Sequence, residues 1–237
     1  MSKNQTPSVV VIGSGNVAEA IALAVAESDE LQLKQVVARN EQRGPQLSAM
    51  TGAEWCAGGG PAAGGDRWVV CVSDWAVGEV ASRLPLRDDA IVVHTAGSVP
   101  LSALPATGIE RGILYLFQSF TAGRDIALDD VPIFIEAESD DVRERLMHVA
   151  SQLSRRVEYA TSERRRVIHL TGVLVNNFVN ALYTAGADIL AAEGLDFDIL
   201  KPLVRETAAK ALGVSDPRDV QTGPAVRGDM AVAERHK

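Results

Sequence analysis

The sequence predicts an α/β protein, with a mostly parallel sheet in its N-terminal part and an all-helical domain after it. Three observations predict this. Val9-Val-Val-Ile12 is an unbroken β-branched run that ends on a glycine, the pattern of a strand buried on both faces. Further runs of that kind alternate with helical patterns, as in a chain built from βαβ crossovers. From about Ser162 to Gly213 no strand pattern is found, and two long helical patterns take its place. The division places residues 1–161 in the sheet domain and 162–237 in the helical one.

Each element follows from its own pattern. A helix is expected from Asn16 to about Ser28 and a strand from Leu31 to Ala38, which closes one crossover unit of about 30 residues. Gly58 to Gly65 is glycine-rich with no Lys-Ser/Thr beside it, so it reads as a surface turn rather than a P-loop. Arg67 to Ser73 reads as a strand, Trp75 to Leu84 as a helix, and Ala90 to His94 as a strand. Gly112 to Leu116, Val131 to Glu136 and Arg156 to Tyr159 are further strand candidates. Asp140 to Leu153 is an amphipathic helix whose first acids suit its N-terminal dipole. The helical domain then carries Val167 to Ala192 and Asp196 to Leu212.

Composition excludes several function classes. The 237 residues are 46% apolar and 23% charged, ordinary globular values that exclude a disordered chain. Lys plus Arg number 23 against 31 Asp plus Glu, a net charge of −8, which disfavours a nucleic-acid partner. The longest apolar run, Ala20 to Ala26, falls far short of the ~20 residues that span a bilayer, so no membrane partner is expected. Met1 to Pro7 lacks the apolar stretch of a secretory signal. Cys56 and Cys71 are too few for a disulfide framework or a cysteine-built zinc site. The expectation is a reduced, cytoplasmic, soluble protein.

Gly13-Ser14-Gly15-Asn16-Val17-Ala18 follows the first strand and opens the first helix. It fits G-x-G-x-x-G/A, the Rossmann-type dinucleotide signature. Gly13 permits a tight turn, Gly15 lets backbone approach a pyrophosphate, and Ala18 permits close helix–strand packing. The helix N-terminus then offers free N–H groups to phosphate. The competing reading is a glycine-rich turn that binds nothing. At the end of the second strand an acid would take the ribose 2′-hydroxyl of NAD, and an arginine the 2′-phosphate of NADP. The chain has Arg39-Asn40 there and no acid before Glu41, so NADP(H) is favoured over NAD, with Arg43 as a second cation. The alternative is that Arg39 is a solvated loop charge. Ser73-Asp74 and Thr95 to Gly97 end two more strands and are expected to run along the cofactor. Asp74 reads equally well as the N-cap of the next helix.

These landmarks, with Phe117-Gln-Ser-Phe120, His169 followed by Asn177, and Thr222-Gly-Pro-Ala-Val-Arg-Gly-Asp229, give the chain a resemblance. It resembles the pyrroline-5-carboxylate reductase and 6-phosphogluconate dehydrogenase-like superfamily. Within it, the chain looks like the Rossmann-like NADP oxidoreductases that carry the C-terminal domain of unknown function 2520. The resemblance covers nearly the whole chain and implies cofactor class and architecture more than reaction. It departs in two places. Leu116-Phe117 stand where the family more often has His-Pro, and Val173 stands where related dehydrogenases carry a catalytic lysine.

On a helical wheel Asn176 and Asn180 fall within roughly 20° of His169, Thr184 within about 60°, and Asn177 about 80° away. That is a polar stripe on an apolar helix, either one wall of a cleft or a hydrogen-bonded dimer seam. His169 is the preferred general acid, since histidine titrates near ~6.5, with His94 as its rival. Asn177 would orient the substrate. Arg227 offers a bidentate fork for an anionic group, or else a structural pair with an acid. No local spacing among His94, His169, His236 and Asp229 supports a metal. The first reading is an NADP(H)-dependent reductase of a small C=O or C=N compound. The second is a non-catalytic NADP-binding sensor or regulatory module, and the third a structural subunit without cofactor. A homodimer through the helical domain is expected, as the resemblance implies.

Overall fold

The computed structural model describes residues 6–57, 64–106, 109–124, 126–223, 226–229 and 231. Strand β1 (Ser8–Ile12) is buried throughout. Its side chains alternate between two cores: Val9 and Val11 enter one, Val10 and Ile12 the other. Helix α1 (Asn16–Glu27) follows and buries Ala18, Ile21, Ala22 and Val25, the i, i+3, i+4, i+7 stripe of an amphipathic helix. Strand β2 (Gln32–Val37) runs parallel to β1.

Helix α2 (Arg43–Thr51) and the short strand β3 (Glu54–Cys56) come next, and neither was expected. α2 contains Gly44 and Pro45 and buries only Gly44 and Leu47, so it lacks the apolar stripe that marks a helix. Residues 58–63 of the glycine-rich segment lie outside the described residues.

Strand β4 (Arg67–Val70) pairs with β1 and ends three residues before the expected Ser73, where Cys71 turns its amide to the Ile12 carbonyl at 2.8 Å. A 3-10 turn (Asp74–Ala76) and the one-turn helix α3 (Val77–Ala81) replace the longer helix expected there. Strands β5 (Ile91–His94) and β6 (Glu110–Leu116) extend the parallel sheet. Strand β7 (Ile133–Ala137) is antiparallel to β6, and β8 (Val157–Tyr159) is parallel to β7. Between them α4 (Asp140–Leu153) is capped by Ser139, whose hydroxyl accepts from the Val142 amide at 3.2 Å.

The strand order is β3-β2-β1-β4-β5-β6-β7-β8. The order reverses between β1 and β4, and in an open α/β sheet the crevice outside the carboxyl ends of those strands receives the ligand. One core lies under α1 and α4, the other on the opposite face with α3.

Helix α5 (Ser162–Gly172) starts at Thr161, whose hydroxyl accepts from the Arg164 amide at 3.3 Å. A π-helical turn (Val173–Phe178) follows, then α6 (Val179–Ala192), a 3-10 turn (Phe197–Ile199) and α7 (Lys201–Leu212). The chain forms two compact units that divide between Asn176 and Asn177. The first therefore includes α5, although the strand texture of the sequence stops near Ser162. In the second, Leu200 approaches α6 at Gly186, where an added Cβ would sit 3.2 Å from Leu200 Cδ1. No residue of α6 or α7 is buried.

Candidate functional site

Gly13 has φ +127°, and an added Cβ would lie 2.2 Å from the Cys71 carbonyl oxygen, so only glycine fits where β1 leaves beside β4. Its amide is tied to the Val37 carbonyl at 2.8 Å. Gly15 is different. Its backbone is extended, a Cβ there would meet nothing within 4 Å, and no side chain caps the helix it begins. The first turn of α1 thus meets an open approach with uncapped N–H groups and the positive end of its dipole, which is what a pyrophosphate requires. Ser14 lines the bend half-buried, Val17 packs against the core, and Ala18 is fully buried. Asn16 donates its side-chain amide to the Phe120 carbonyl at 2.9 Å, so it fastens the loop after β6, and its backbone is what remains for phosphate.

At the end of β2, Arg39 is exposed and forms no ion pair among the described residues. Arg43 is paired with Glu19, so Arg39 is the cation left open there. Asn40 accepts from the amides of Gln42 and Arg43 at 3.0 and 2.9 Å, which makes its side chain the entry cap of α2. After β4, Ser73 occupies the N-cap position without a side-chain bond. The Asp74 carboxylate accepts from the Ser98 hydroxyl and ties the β4 and β5 loops together, so Asp74 is not a helix cap. Thr95 is half-buried beside Cys71, whose thiol burial pushes up to about 12.

His94 lies in the core rather than at an open surface, with 0% exposure. Its Nδ1 accepts from the Ala96 amide at 3.2 Å, which leaves the proton on Nε2, an atom without a hydrogen-bond partner among the described residues. Burial lowers its pKa from 6.5 to about 4, helped by the Arg165 guanidinium and opposed by the Pro100 carbonyl and Asp74. A neutral, enclosed imidazole is a poor proton donor to a substrate. It also links folding to pH: the unfolded chain takes up a proton as pH falls through 6.5, and the folded chain resists until about 4. Stability is full above that window and should fall through it by roughly 3 kcal/mol. His94→Asn should flatten that part of the acid limb in urea unfolding, and equal acid slopes in the two proteins would contradict the assignment.

His169 and Tyr115 meet at the carboxyl edge of β6. The Tyr115 hydroxyl lies 3.0 Å from His169 Nδ1, and the two rings meet edge to face with centroids 5.9 Å apart. Tyr115 is 8% exposed and packs on Phe117 and Phe134. Burial pushes its phenol up to about 12 against the pull of Arg165, so it is a neutral hydroxyl at pH 7. Gly97 completes the contact, since an added Cβ would sit 2.5 Å from His169 Nδ1 and 2.8 Å from the Tyr115 ring. Sequence reasoning missed Tyr115. The available signal was a phenol one residue from the carboxyl end of a parallel strand, on the edge where ligands bind.

Asn177 and Arg227 belong to the second unit, where both are exposed. The π turn breaks the 3.6-residue period on which the polar stripe was drawn. Arg227 sits in a turn between Gly223 and Gly228, both with positive φ. Residues 224, 225, 230 and 232–237 lie outside the described residues. Among the described residues no cluster of His, Cys, Asp and Glu could hold a metal ion, and no helix is long and apolar enough to cross a membrane.

Two family models match the chain. The one described as "NADP oxidoreductase coenzyme F420-dependent" covers residues 8–97, and the domain of unknown function 2520 covers residues 131–237. No curated protein matches. Among solved structures, a Bacteroides fragilis protein called a "putative NADP oxidoreductase" is 33% identical, with 97% of this chain and 89% of that one covered and a TM-score of 0.84. A Thermotoga maritima protein shares the fold at 21% identity, 96% and 88% coverage and a TM-score of 0.80. So does the 1-pyrroline-5-carboxylate reductase of Streptococcus pyogenes, at 11% identity, 96% and 90% coverage and a TM-score of 0.66. The Bacteroides match runs through both the glycine bend and the helical region, and the chain belongs to the Rossmann-like NADP oxidoreductase family that carries this C-terminal domain.

Proposed function

We propose that the protein is an NADP(H)-dependent reductase of a small C=O or C=N compound. The observation that carries this is the Tyr115–His169 contact beside Gly97, on the same carboxyl edge of the sheet as the Gly13–Gly15 bend. The bend and the first turn of α1 would hold the pyrophosphate, and Arg39 the 2′-phosphate. The nicotinamide, when bound, supplies the hydride. The chain supplies position and a proton.

His169 is the proton donor. Tyr115 holds its Nδ1 and fixes the ring's orientation. His94 is set aside because it is enclosed and neutral. A second copy is expected on the second unit, since Leu182, Ile189, Leu203 and Leu212 are 64–87% exposed. Light scattering that found only monomer at micromolar concentration would contradict this.

Oxidation of NADPH across a panel of aldehydes, ketones and cyclic imines tests the reaction. The panel includes coenzyme F420, which the family model over residues 8–97 is named for. Turnover of at least one compound is the expected result. Tight NADPH binding without turnover of any would favour the non-catalytic sensor.

A further inference from the structure

We infer that Arg165 and Glu136 form a positioning pair that sets His169 against Tyr115; this rests on the reading of His169 and Tyr115 as the working dyad. Arg165 is 1% exposed, a rare placement for a guanidinium. It pairs with Glu136 through Nη1. Its Nη2 donates to the Val99 carbonyl and, at 3.4 Å, to the Ser162 hydroxyl. Ser162 in turn donates to both Glu136 oxygens, at 3.0 and 2.8 Å, and accepts from the Leu101 amide at 3.4 Å.

The elements tied by this network are the elements that build the dyad. Tyr115 and Phe134 are register partners on β6 and β7, and Glu136 follows Phe134 by two residues, so all three side chains share one face of the sheet. Arg165 precedes His169 by four residues and so lies on the same face of α5. Val99 follows Gly97 by two residues. The ion pair therefore joins α5, β7 and the loop after β5 at one point, one helical turn from the imidazole. Burying two charges is unfavourable unless geometry repays it, and an apolar pair of similar volume commonly holds a fold as well. Stability alone gives no reason for an ion pair here. What the guanidinium adds is direction, because its planar fork reaches a carboxylate and a carbonyl at fixed angles. The charge also acts on the dyad, since Arg165 opposes the rise that burial imposes on the Tyr115 phenol.

The test is nitrogen NMR of histidine-labelled full-length protein, with His169 identified among the four histidines by the His169→Gln spectrum. In Tyr115→Phe the Nδ1 signal should move to its position without a phenol partner. Arg165→Met should move it to that same position, and Arg165→Lys part of the way. The double variant Glu136→Gln/Arg165→Met leaves no unpaired buried charge, and should fold yet show the same displaced signal. NADPH affinity should change less than about twofold in all of them, because the glycine bend and Arg39 are untouched. A folded double variant with the wild-type His169 signal would overturn the positioning role and leave the dyad standing. An unchanged signal in Tyr115→Phe would remove the dyad, and the proposal with it.

Discussion

Gly13→Ala is expected to abolish binding of pyridine nucleotide and to lower stability by roughly 2–6 kcal/mol. Two costs combine. A non-glycine residue at φ +127° is strained by ~1–3 kcal/mol. A methyl group 2.2 Å from the Cys71 carbonyl oxygen must also push β1 and β4 apart, in a core that tolerates no extra volume without a similar cost. Gly15→Ala separates binding from folding. Its Cβ meets nothing and its backbone is extended, so stability should hold or rise by up to ~1 kcal/mol. Binding should still fall, because the methyl occupies the approach to the first turn of α1. Urea midpoints and NADPH titrations on the two variants check both halves. A Gly13→Ala protein that is stable and binds normally would mean that the bend is not as described.

His169→Ala is expected to lower turnover by 10²-fold or more on whichever compound the panel identifies, with NADPH affinity unchanged. The loss should fall on kcat, since the imidazole acts on the proton rather than on nucleotide binding. Tyr115→Phe should lower kcat less, because it removes the partner that orients the ring and leaves the ring itself. If His169→Ala keeps full turnover, the dyad is structural and the proton comes from elsewhere.

Much of the first unit was legible because burial on both faces leaves a plain trace. β1 and β5 are runs of Val and Ile, β2 ends on the buried pair Val36-Val37, α1 repeats small apolar residues at helical spacing, and α4 has its acids and its cap in order. The α2–β3 excursion was not legible, since a nine-residue helix with glycine and proline in its first turn carries no period. The glycine bend was readable as a motif because its chemistry is local, with every residue of it within one turn of chain. The dyad was half-readable. His169 stood out as a polar residue on an apolar helix, but Tyr115 is 54 residues away and joins it only through the sheet. Arg165 and Glu136 are 29 residues apart, and nothing in the local sequence of either marks them as a pair. That same pairing explains why the first compact unit reaches Asn176, although the strand texture ends near Ser162. The enclosure of His94 was also invisible, because a histidine at a strand end reads the same whether the loop beyond it opens or folds back.

At the end of β2 Arg39 is exposed and outside any ion pair among the described residues, and the cofactor assignment rests on it. Calorimetric titration of wild type and Arg39→Ala with NADPH and with NADH tests it most directly. The prediction is that wild type binds NADPH at least about tenfold tighter than NADH, the worth of one charge-assisted phosphate contact, and that Arg39→Ala loses this preference while its NADH affinity stays the same. Equal affinity for the two nucleotides in wild type would contradict the cofactor assignment, and no heat with either would contradict the dinucleotide site itself.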